Sequence, residues 1–351
     1  MLEEETRIPT GIVPRLLKWY DQGHRILPWR TTPIPYYVWV SEIMLQQTRV
    51  EAVIPYFKRF VTELPDVFAL AGAEESVLMK LWEGLGYYRR VRNLQAAAKR
   101  IVAEYDGEMP ASYAMLRELP GIGEYTAGAI ASIAFGLPTP AVDGNVLRVL
   151  SRVCEDYRDI LKQSVKKDIG TQLAAMYPRG RCGDFTQSLM ELGATVCIPN
   201  GTPHCDQCPL SDLCLAYQHN STDELPVKTP KKPRKVQRKT VFLLYDGDKI
   251  ALQKRAEDGL LAGMWEYPNL DLHLSQQESI QALADMGIVV TDLEPWGKAE
   301  HIFTHIEWKM QVYRGVCQSS GENKFVWVTE KQMEEEFALP TAFRKIKRKN
   351  P

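Results

Sequence analysis

Apolar residues recur every three or four positions through about the first 220 residues, a spacing that predicts amphipathic helices. Proline and glycine lie between the patterned stretches, as they do in the turns that connect helices. The clearest helical stretches are Ile12–Tyr20, Val38–Phe60, Ser76–Trp82, Val91–Tyr105 and Gly128–Ala134. No convincing strand pattern interrupts them. We therefore predict an all-helical domain over residues 1–220.

The pattern changes from helical to strand-like after residue 239. Thr240–Tyr245 and Lys249–Gln253 are short apolar runs on either side of the turn residues Asp246-Gly247-Asp248, which is typical of a hairpin. The remaining predicted elements are strands at Ile302–Phe303, Ile306–Tyr313 and Phe325–Val328, and a helix at Gln276–Met286. Residues 239–351 are therefore predicted to form a smaller α+β domain.

A proline-containing basic segment, residues 221–238, lies between the two patterns. Over residues 221–240, 7 side chains are Lys or Arg and 2 are acidic, although the whole chain has a net charge of −1. Such a run is either a solvated linker or a strap that contacts phosphates. The overall composition, 45% hydrophobic and 25% charged over 351 residues, is globular and allows two cores.

Targeting signals are lacking in the sequence. The acidic start of the chain has no apolar core like that of a signal peptide, and no uninterrupted apolar stretch reaches the length of a membrane span. We therefore expect the protein to be cytoplasmic, at the nucleoid if the source is prokaryotic, and not secreted. Cysteines in such a chain are expected to serve metal or redox chemistry before disulfides.

Four cysteines are concentrated in one proline-rich stretch: Cys197, Cys205, Cys208 and Cys214, with spacings of x7, x2 and x5. Four thiolates in one loop can surround a small metal centre, either a zinc ion or an iron–sulfur cluster. His204 is a rival ligand, but only Cys205 keeps the x2 spacing to Cys208. The spacing alone leaves zinc and iron open.

A glycine turn, Leu119-Pro120-Gly121-Ile122-Gly123, separates two helical segments. Its backbone N–H groups and the start of the following helix could approach a phosphate. A dinucleotide fingerprint fails because Thr126 stands at the third glycine position and no strand precedes the turn. A P-loop fails because the Lys-Ser/Thr pair is missing. The turn is therefore predicted to be a helix–hairpin–helix element that grips a nucleic-acid backbone.

Several motifs in order carry a family resemblance over nearly the whole chain. They are Pro28-Trp29-Arg30, the run from Val38 through Glu42 to Thr48, the run from Trp82 to Tyr88, the glycine turn, the run from Val142 through Asp143 and Asn145 to Arg148, the cysteine loop, and Gly259–Pro268. Together they resemble the MutY family of adenine DNA glycosylases, in the helix–hairpin–helix superfamily.

This resemblance implies a fold, a substrate and a cofactor. The fold is an all-α helix–hairpin–helix glycosylase domain with an iron–sulfur loop, followed by an α+β Nudix-like domain. The substrate is duplex DNA with adenine opposite 8-oxoguanine or guanine, bound by a monomer. The cofactor is a [4Fe–4S] cluster on the four cysteines. The family's usual first spacing is x6, so the x7 found here makes Cys197 the least secure ligand.

Two carboxylates are the predicted catalytic pair. Glu42 follows a run of apolar residues, which raise a carboxyl pKa, so it could protonate adenine near neutral pH. The resemblance gives Glu42 that role, and gives Asp143 the stabilisation of the oxocarbenium ion. It also implies that Tyr125 and Asn145 position these groups and the attacking water.

The resemblance also implies a set of DNA-binding residues. Gln47 and Tyr87 would fill the gap left by the flipped adenine, while Thr48, Gly121 and Gly123 would contact DNA. The residues implied to line the adenine pocket are Trp29, Arg30, Leu45, Val50 and Gln187. Phe303-Thr304-His305 matches the loop that reads 8-oxoguanine, with Thr in place of Ser.

Three other functions fit the sequence less well. A bifunctional glycosylase–lyase of the endonuclease III type needs a lysine where this chain has Tyr125. A noncatalytic DNA-binding iron–sulfur protein would not need Glu42 and Asp143. A Nudix hydrolase needs a helix with several Glu to hold magnesium, but residues 274–286 offer only Glu278 and Asp285. The carboxy-terminal domain is therefore predicted to bind and not to hydrolyse.

Overall fold

The computed structural model describes residues 7–230, 233–317 and 325–347. Among them, two compact units form. The helical unit comprises residues up to 72 together with 93–230, and the mixed unit comprises 73–92 together with the residues after 230. Lys231 and Lys232 of the basic segment lie outside the described residues.

The helices occupy the predicted stretches and several additional ones. In chain order they are α1 (Ile12–Gln22), α2 (Pro28–Thr31), α3 (Pro35–Leu45), α4 (Val50–Glu63), α5 (Val67–Gly72), α6 (Glu75–Leu81), α7 (Arg89–Tyr105), α8 (Tyr113–Arg117), α9 (Glu124–Ile133), α10 (Gly144–Val153), α11 (Gln163–Ala174), α12 (Cys182–Thr195), α13 (Leu215–Gln218), α14 (Gln276–Asp285), α15 (Glu330–Glu336) and α16 (Thr341–Lys347).

The continuous helix predicted over residues 38–60 is wrong at residues 46–49, where α3 ends and α4 has not begun. Gln47 adopts φ +60°, in the left-handed region that ends helices. The Thr48 N–H donates to the Leu45 carbonyl at 3.2 Å, which closes the turn. Apolar periodicity continues through this turn, so the pattern alone does not reveal it.

The core of the helical unit contains α3, α9, α10 and α12. Residues 38–44 of α3 are all buried, with Trp39 only 1% exposed, and Pro35 fits the helix start because it needs no N–H partner there. The start of α10 is capped by Asp143, whose side chain accepts the Val146 N–H at 2.7 Å. Helix α3, which carries Glu42, and the start of α10, which is capped by Asp143, therefore bring these two residues into the same region of the unit.

The mixed unit is built on a seven-stranded sheet. Its strands are β1 (Lys235–Asp246), β2 (Lys249–Lys254), β3 (Trp265–Glu266), β4 (Asn269–Leu270), β5 (Val290–Ile302), β6 (Ile306–Cys317) and β7 (Val326–Thr329). The order is β3-β2-β1-β6-β5, with β4 paired to β1 and β7 to β2. β1 begins before the predicted strand because Lys235 pairs in parallel with Ile306 on β6.

Alternation along β1 divides the mixed unit into two cores. Val241 and Leu243 belong to a cluster that includes residues of α15 and α16, whereas Phe242 and Leu244 belong to a cluster that includes Leu283 of α14. Successive side chains of a strand point to opposite faces, so one strand contributes to both cores. Among the described residues, no helix is long and apolar enough to cross a membrane.

Candidate active site and cysteine-lined cavity

Glu42 is a buried acid with a defined hydrogen-bond donor. It lies on α3 with 5% exposure, and its Oε2 accepts the Tyr125 hydroxyl of α9 at 2.5 Å. The pKa of Glu42 is raised to about 7, chiefly because the carboxyl is buried and to a lesser extent because the negative Asp143 is near, while the hydrogen bond from Tyr125 and the charge of Arg30 oppose the rise. Glu42 can therefore carry a transferable proton near neutral pH.

Asp143 has both carboxylate oxygens engaged. Oδ1 accepts the Val146 N–H at 2.7 Å, and Oδ2 accepts Nδ2 of Asn145 at 2.8 Å. Burial raises the pKa of Asp143, while these hydrogen bonds and the charge of Arg148 lower it. The start of α10 favours a negative charge at this position. The structure thus places the carboxyl groups of Glu42 and Asp143 close enough for the charge of Asp143 to act on Glu42.

Asn145 is held by a residue that the sequence analysis quoted without a role. Arg148 Nη2 donates to Asn145 Oδ1 at 2.8 Å and to the Gly193 carbonyl at 2.7 Å, and Nε donates to the Cys197 carbonyl at 2.8 Å. Its position three residues after Asn145, on the same face of α10, is the sequence signal that could have identified it. Arg148 therefore joins the carboxylate region to the cysteine loop.

Two glycines allow helices α12 and α9 to pack closely against the segment that carries Asp143 and Asn145. A Cβ at Gly193 of α12 would lie 2.6 Å from Cβ of Asn145, so only glycine allows this separation. A Cβ at Gly128 of α9 would lie 2.2 Å from the Pro140 carbonyl oxygen. The segment from Pro140 to Asn145 is therefore in direct contact with the backbones of two helices.

The predicted adenine-pocket residues lie on several elements of the helical unit. Trp29 is buried and packs edge-to-face on Phe57, with ring centroids 5.3 Å apart. Leu45, Val50 and Gln187 are half-buried. Arg30 has 11% side-chain exposure and is paired with Glu191, a residue that the sequence analysis missed. Glu191 lies four residues after Gln187 on α12, a spacing that places both on one face.

The two predicted gap-filling residues share an uncommon backbone. Gln47 of the helical unit has φ +60° and Tyr87 of the mixed unit has φ +50°, and both are exposed. Residues other than glycine rarely adopt this region, and such strain concentrates at functional sites. Thr48 is half-buried, and Gly121 and Gly123 are exposed at the turn between α8 and α9.

The predicted lesion-reading loop and Tyr87 meet within the mixed unit. The Tyr87 hydroxyl lies 2.9 Å from Oγ1 of Thr304. Phe303 packs edge-to-face on Trp308, and Thr304 and His305 are exposed. The segment that carries Tyr87 is fixed to this unit because Glu83 Oε1 accepts the Leu339 N–H at 2.9 Å.

The four cysteines of the loop, Cys197, Cys205, Cys208 and Cys214, line one cavity. Arg152 Nη1 lies 3.3 Å from Cys197 Sγ and donates to the Ile198 carbonyl at 3.2 Å. The remaining walls include Val149, Val153, Leu192 and Val196. Among the described residues, no group of three or more His, Cys, Asp or Glu could hold a single metal ion.

The sequence matches two protein families and several known proteins. Residues 40–173 match the HhH-GPD superfamily of base excision DNA repair proteins, and residues 240–349 match the NUDIX domain. The adenine DNA glycosylase of Mus musculus is 36% identical, with 87% of this chain and 70% of that protein covered. The adenine DNA glycosylase of Homo sapiens is 35% identical, with 94% and 72% covered.

Among solved structures, a thermostable thymine-DNA glycosylase superposes with a TM-score of 0.54 at 28% identity, covering 60% of this chain and 96% of that one. These similarities confirm the predicted helix–hairpin–helix and Nudix-like folds. Because the matched adenine DNA glycosylases are 35–36% identical and are covered over more than two thirds of their length, the chain belongs to the adenine DNA glycosylase family.

Proposed function

We propose that this base excision repair enzyme is a monomeric, monofunctional glycosylase that removes adenine opposite 8-oxoguanine or guanine in duplex DNA. The observation that carries the proposal is the juxtaposition of buried Glu42, its donor Tyr125, and Asp143 held by Asn145. Loss of adenine from deoxyribose requires a proton on the base and a negative charge near the sugar, and these side chains can supply both.

Glu42 is the proposed proton donor to the adenine ring. The pKa of about 7 leaves a large protonated fraction at neutral pH, and the carboxylate formed by the transfer can then accept a proton from the attacking water. Tyr125 remains a neutral donor because burial raises its pKa well above the ordinary value. The phenol has no amine with which to form a Schiff base, so the proposed reaction leaves the DNA strand intact.

Asp143 is the proposed partner of the oxocarbenium ion. As the positive charge develops on the sugar, the carboxylate lowers the barrier through electrostatic attraction or a sugar ester. Its Oδ1 and Oδ2 are fixed by Val146 and Asn145, so little reorganisation is needed when the charge forms. Asn145 in turn is fixed by Arg148.

The mixed unit is proposed to inspect the base opposite adenine. Flipping adenine costs a few kcal/mol of stacking and pairing, and the strained Gln47 and Tyr87 are suited to occupy the gap. Hydrolysis of nucleotides is not proposed, because Glu278 caps its own helix at Ser275 and Asp285 accepts a bond from Gln281. Thr304 beside Tyr87 is the proposed reader of 8-oxoguanine.

Single-turnover excision from matched duplexes tests this function. We expect adenine to be released fastest opposite 8-oxoguanine, more slowly opposite guanine and far more slowly opposite thymine, with strands cleaved only after alkali treatment. Thr304→Val keeps the shape but removes the hydroxyl, so it should reduce the preference for 8-oxoguanine over guanine by about 3- to 10-fold, the equivalent of one hydrogen bond.

The matched control is Thr291→Val, which removes an exposed hydroxyl of β5 that donates to the Val316 carbonyl. This control should keep the wild-type preference. Comparable rates on all of the duplexes would contradict the proposed substrate, and an unchanged preference in Thr304→Val would contradict the role of Thr304.

The cysteine loop is proposed to hold a [4Fe–4S] cluster through Cys197, Cys205, Cys208 and Cys214. The donors fit such a centre because all four thiols line one pocket. The additional residue before Cys205 is compatible with this ligand set if the loop bulges outward, for which the exposed Asn200, Gly201 and Thr202 leave room. When bound, the cluster would stabilise this loop, to which Arg148 and Arg152 donate hydrogen bonds.

Serine substitutions test the ligand set. Cys197→Ser and Cys208→Ser should each lose most of the iron and acid-labile sulfide of the purified protein and lower its melting temperature, because a metal centre contributes directly to folding. Cys154→Ser is the control, since that sulfur contacts the Arg7 carbonyl at 3.7 Å and does not line the cavity. Full iron content in Cys197→Ser would remove Cys197 from the set.

A further inference from the structure

Glu191 of α12 organises two arginines beside the predicted adenine pocket. Its Oε2 accepts Nη2 of Arg30 at 2.8 Å and Nη2 of Arg25 at 3.0 Å. Its Oε1 accepts Nε of Arg25 at 2.8 Å and the Arg25 backbone N–H at 3.2 Å. Arg30 Nη1 also donates to the Arg25 carbonyl at 3.1 Å. This cluster therefore fixes the Arg30 guanidinium through two separate acceptors.

The cluster is largely buried, so water screens its charges only weakly. The Glu191 side chain is 2% exposed, that of Arg30 11%, and that of Arg25 32%. Burial alone would raise the pKa of Glu191, but the hydrogen bonds and charges of Arg25 and Arg30 outweigh burial and lower it. Glu191 is therefore an anion that balances positive charge within the protein, where screening by water is weak.

Arg30 connects this cluster to the proton donor. The groups that act on Glu42 are the Tyr125 hydroxyl of α9, the Asp143 carboxylate before α10 and the Arg30 guanidinium of α2; Met190 of α12 contributes a sulfur 4.0 Å from the Tyr125 hydroxyl. Arg30 is the cation among them and favours the ionised form of Glu42. A change in the balance of charge at Arg30 therefore affects the acid directly.

We propose that Glu191 is a positioning and charge-balancing residue of the glycosidic step, which holds Arg30 in the pocket wall and offsets its positive charge beside Glu42. This inference rests on the proposed function, in which Glu42 must be protonated to act. Without the Glu191 anion, the positive charge of Arg30 is no longer offset, so Glu42 loses its proton at a lower pH. Arg25 lies on the outer side of the cluster, 3.8 Å from Glu51.

The test is the pH dependence of single-turnover adenine excision by the full chain. Glu191→Gln keeps the shape and removes the charge, so the alkaline decline in rate should move to lower pH by roughly 0.5–1 unit, within the spread of about 1 unit that protein surroundings impose on carboxyl pKa values. A purely structural role would instead reduce the rate equally at every pH, and that result would overturn the inference.

Arg25→Met is the second variant, because loss of a buried anion beside two cations can prevent Glu191→Gln from folding. It removes a positive charge and leaves the pair between Glu191 and Arg30 intact. We expect its alkaline decline to stay at the wild-type pH or to move higher. A decline at lower pH would overturn the inference, because it would show that any damage to the cluster has the same effect.

The wild-type profile separates this inference from the proposed function. If the wild type shows no adenine excision, or if its alkaline decline persists in Glu42→Gln, the proposed function itself fails. If the decline depends on Glu42 but does not move in Glu191→Gln, only the role of Glu191 fails. Melting curves of the variants establish that each remains folded at the pH values used.

Discussion

Glu42→Gln should lower the rate of adenine excision in a single turnover by about 10²- to 10⁴-fold, the contribution of a positioned general acid. The glutamine side chain keeps the volume and can still accept the Tyr125 hydroxyl bond, so the fold and DNA binding should survive. What it cannot do is give a proton to the leaving adenine. The measurement is single-turnover excision from a duplex with adenine opposite 8-oxoguanine.

The protonation of Glu42 also predicts the direction in which the excision rate changes with pH. In the proposed reaction Glu42 acts in its protonated form, so activity should be present below its pKa of about 7 and fall roughly tenfold per pH unit above it. Glu63→Gln, at the exposed last residue of α4, is the matched control and should keep both rate and profile. A Glu42→Gln enzyme within threefold of the wild-type rate would exclude acid catalysis by this residue.

Local patterns predicted where the helices and strands lie better than they predicted which of them pack together. The spacing of apolar residues indicated the helical unit, and short apolar runs on either side of a turn indicated β1 and β2, which are buried on both faces. The break at residues 46–49 was missed because its apolar residues keep the helical spacing while Gln47 takes a positive φ. That conformation is a property of one backbone position, and periodicity carries no information about it.

The association of residues 73–92 with the mixed unit was also beyond the sequence analysis. It depends on contacts such as Glu83 to the Leu339 N–H and Tyr87 to Thr304, which join residues more than 200 positions apart. Short-range spacing cannot indicate such pairs. Their consequence is functional, since two residues predicted to act at the same lesion belong to one compact unit.

In the candidate site, too, motifs indicated some of the residues, whereas others are revealed only by the contacts in the folded protein. Glu42, Tyr125, Asp143 and Asn145 were chosen from motifs, whereas Arg148 and Glu191 were not given roles. Both missed residues are charged side chains that act on a predicted residue through hydrogen bonds of 2.8 Å. Each lies one helical turn from a predicted residue on the same helix, so a search for charged neighbours at i+3 and i+4 would have found them.

Asp143→Asn should reduce excision by at least about 10³-fold while leaving DNA binding close to that of the wild type. The carboxylate is the proposed counter-charge for the oxocarbenium ion, and an amide supplies neither that charge nor a nucleophilic oxygen. Asn is as good a helix cap as Asp, so the bond from the Val146 N–H to the side chain should persist. The loss would therefore be one of chemistry and not of fold.

Asp143→Ala is the matched comparison, because it removes the cap as well as the charge. Loss of the cap should cost about 1 kcal/mol of stability, visible as a lower melting temperature in Asp143→Ala than in Asp143→Asn, which loses only the bond from Asn145 Nδ2. Both variants should be similarly inactive, since they share the loss of the carboxylate. If Asp143→Asn retained more than a tenth of the wild-type excision rate with intact binding, Asp143 would be a structural cap, and the stabilising negative charge would have to come from another group.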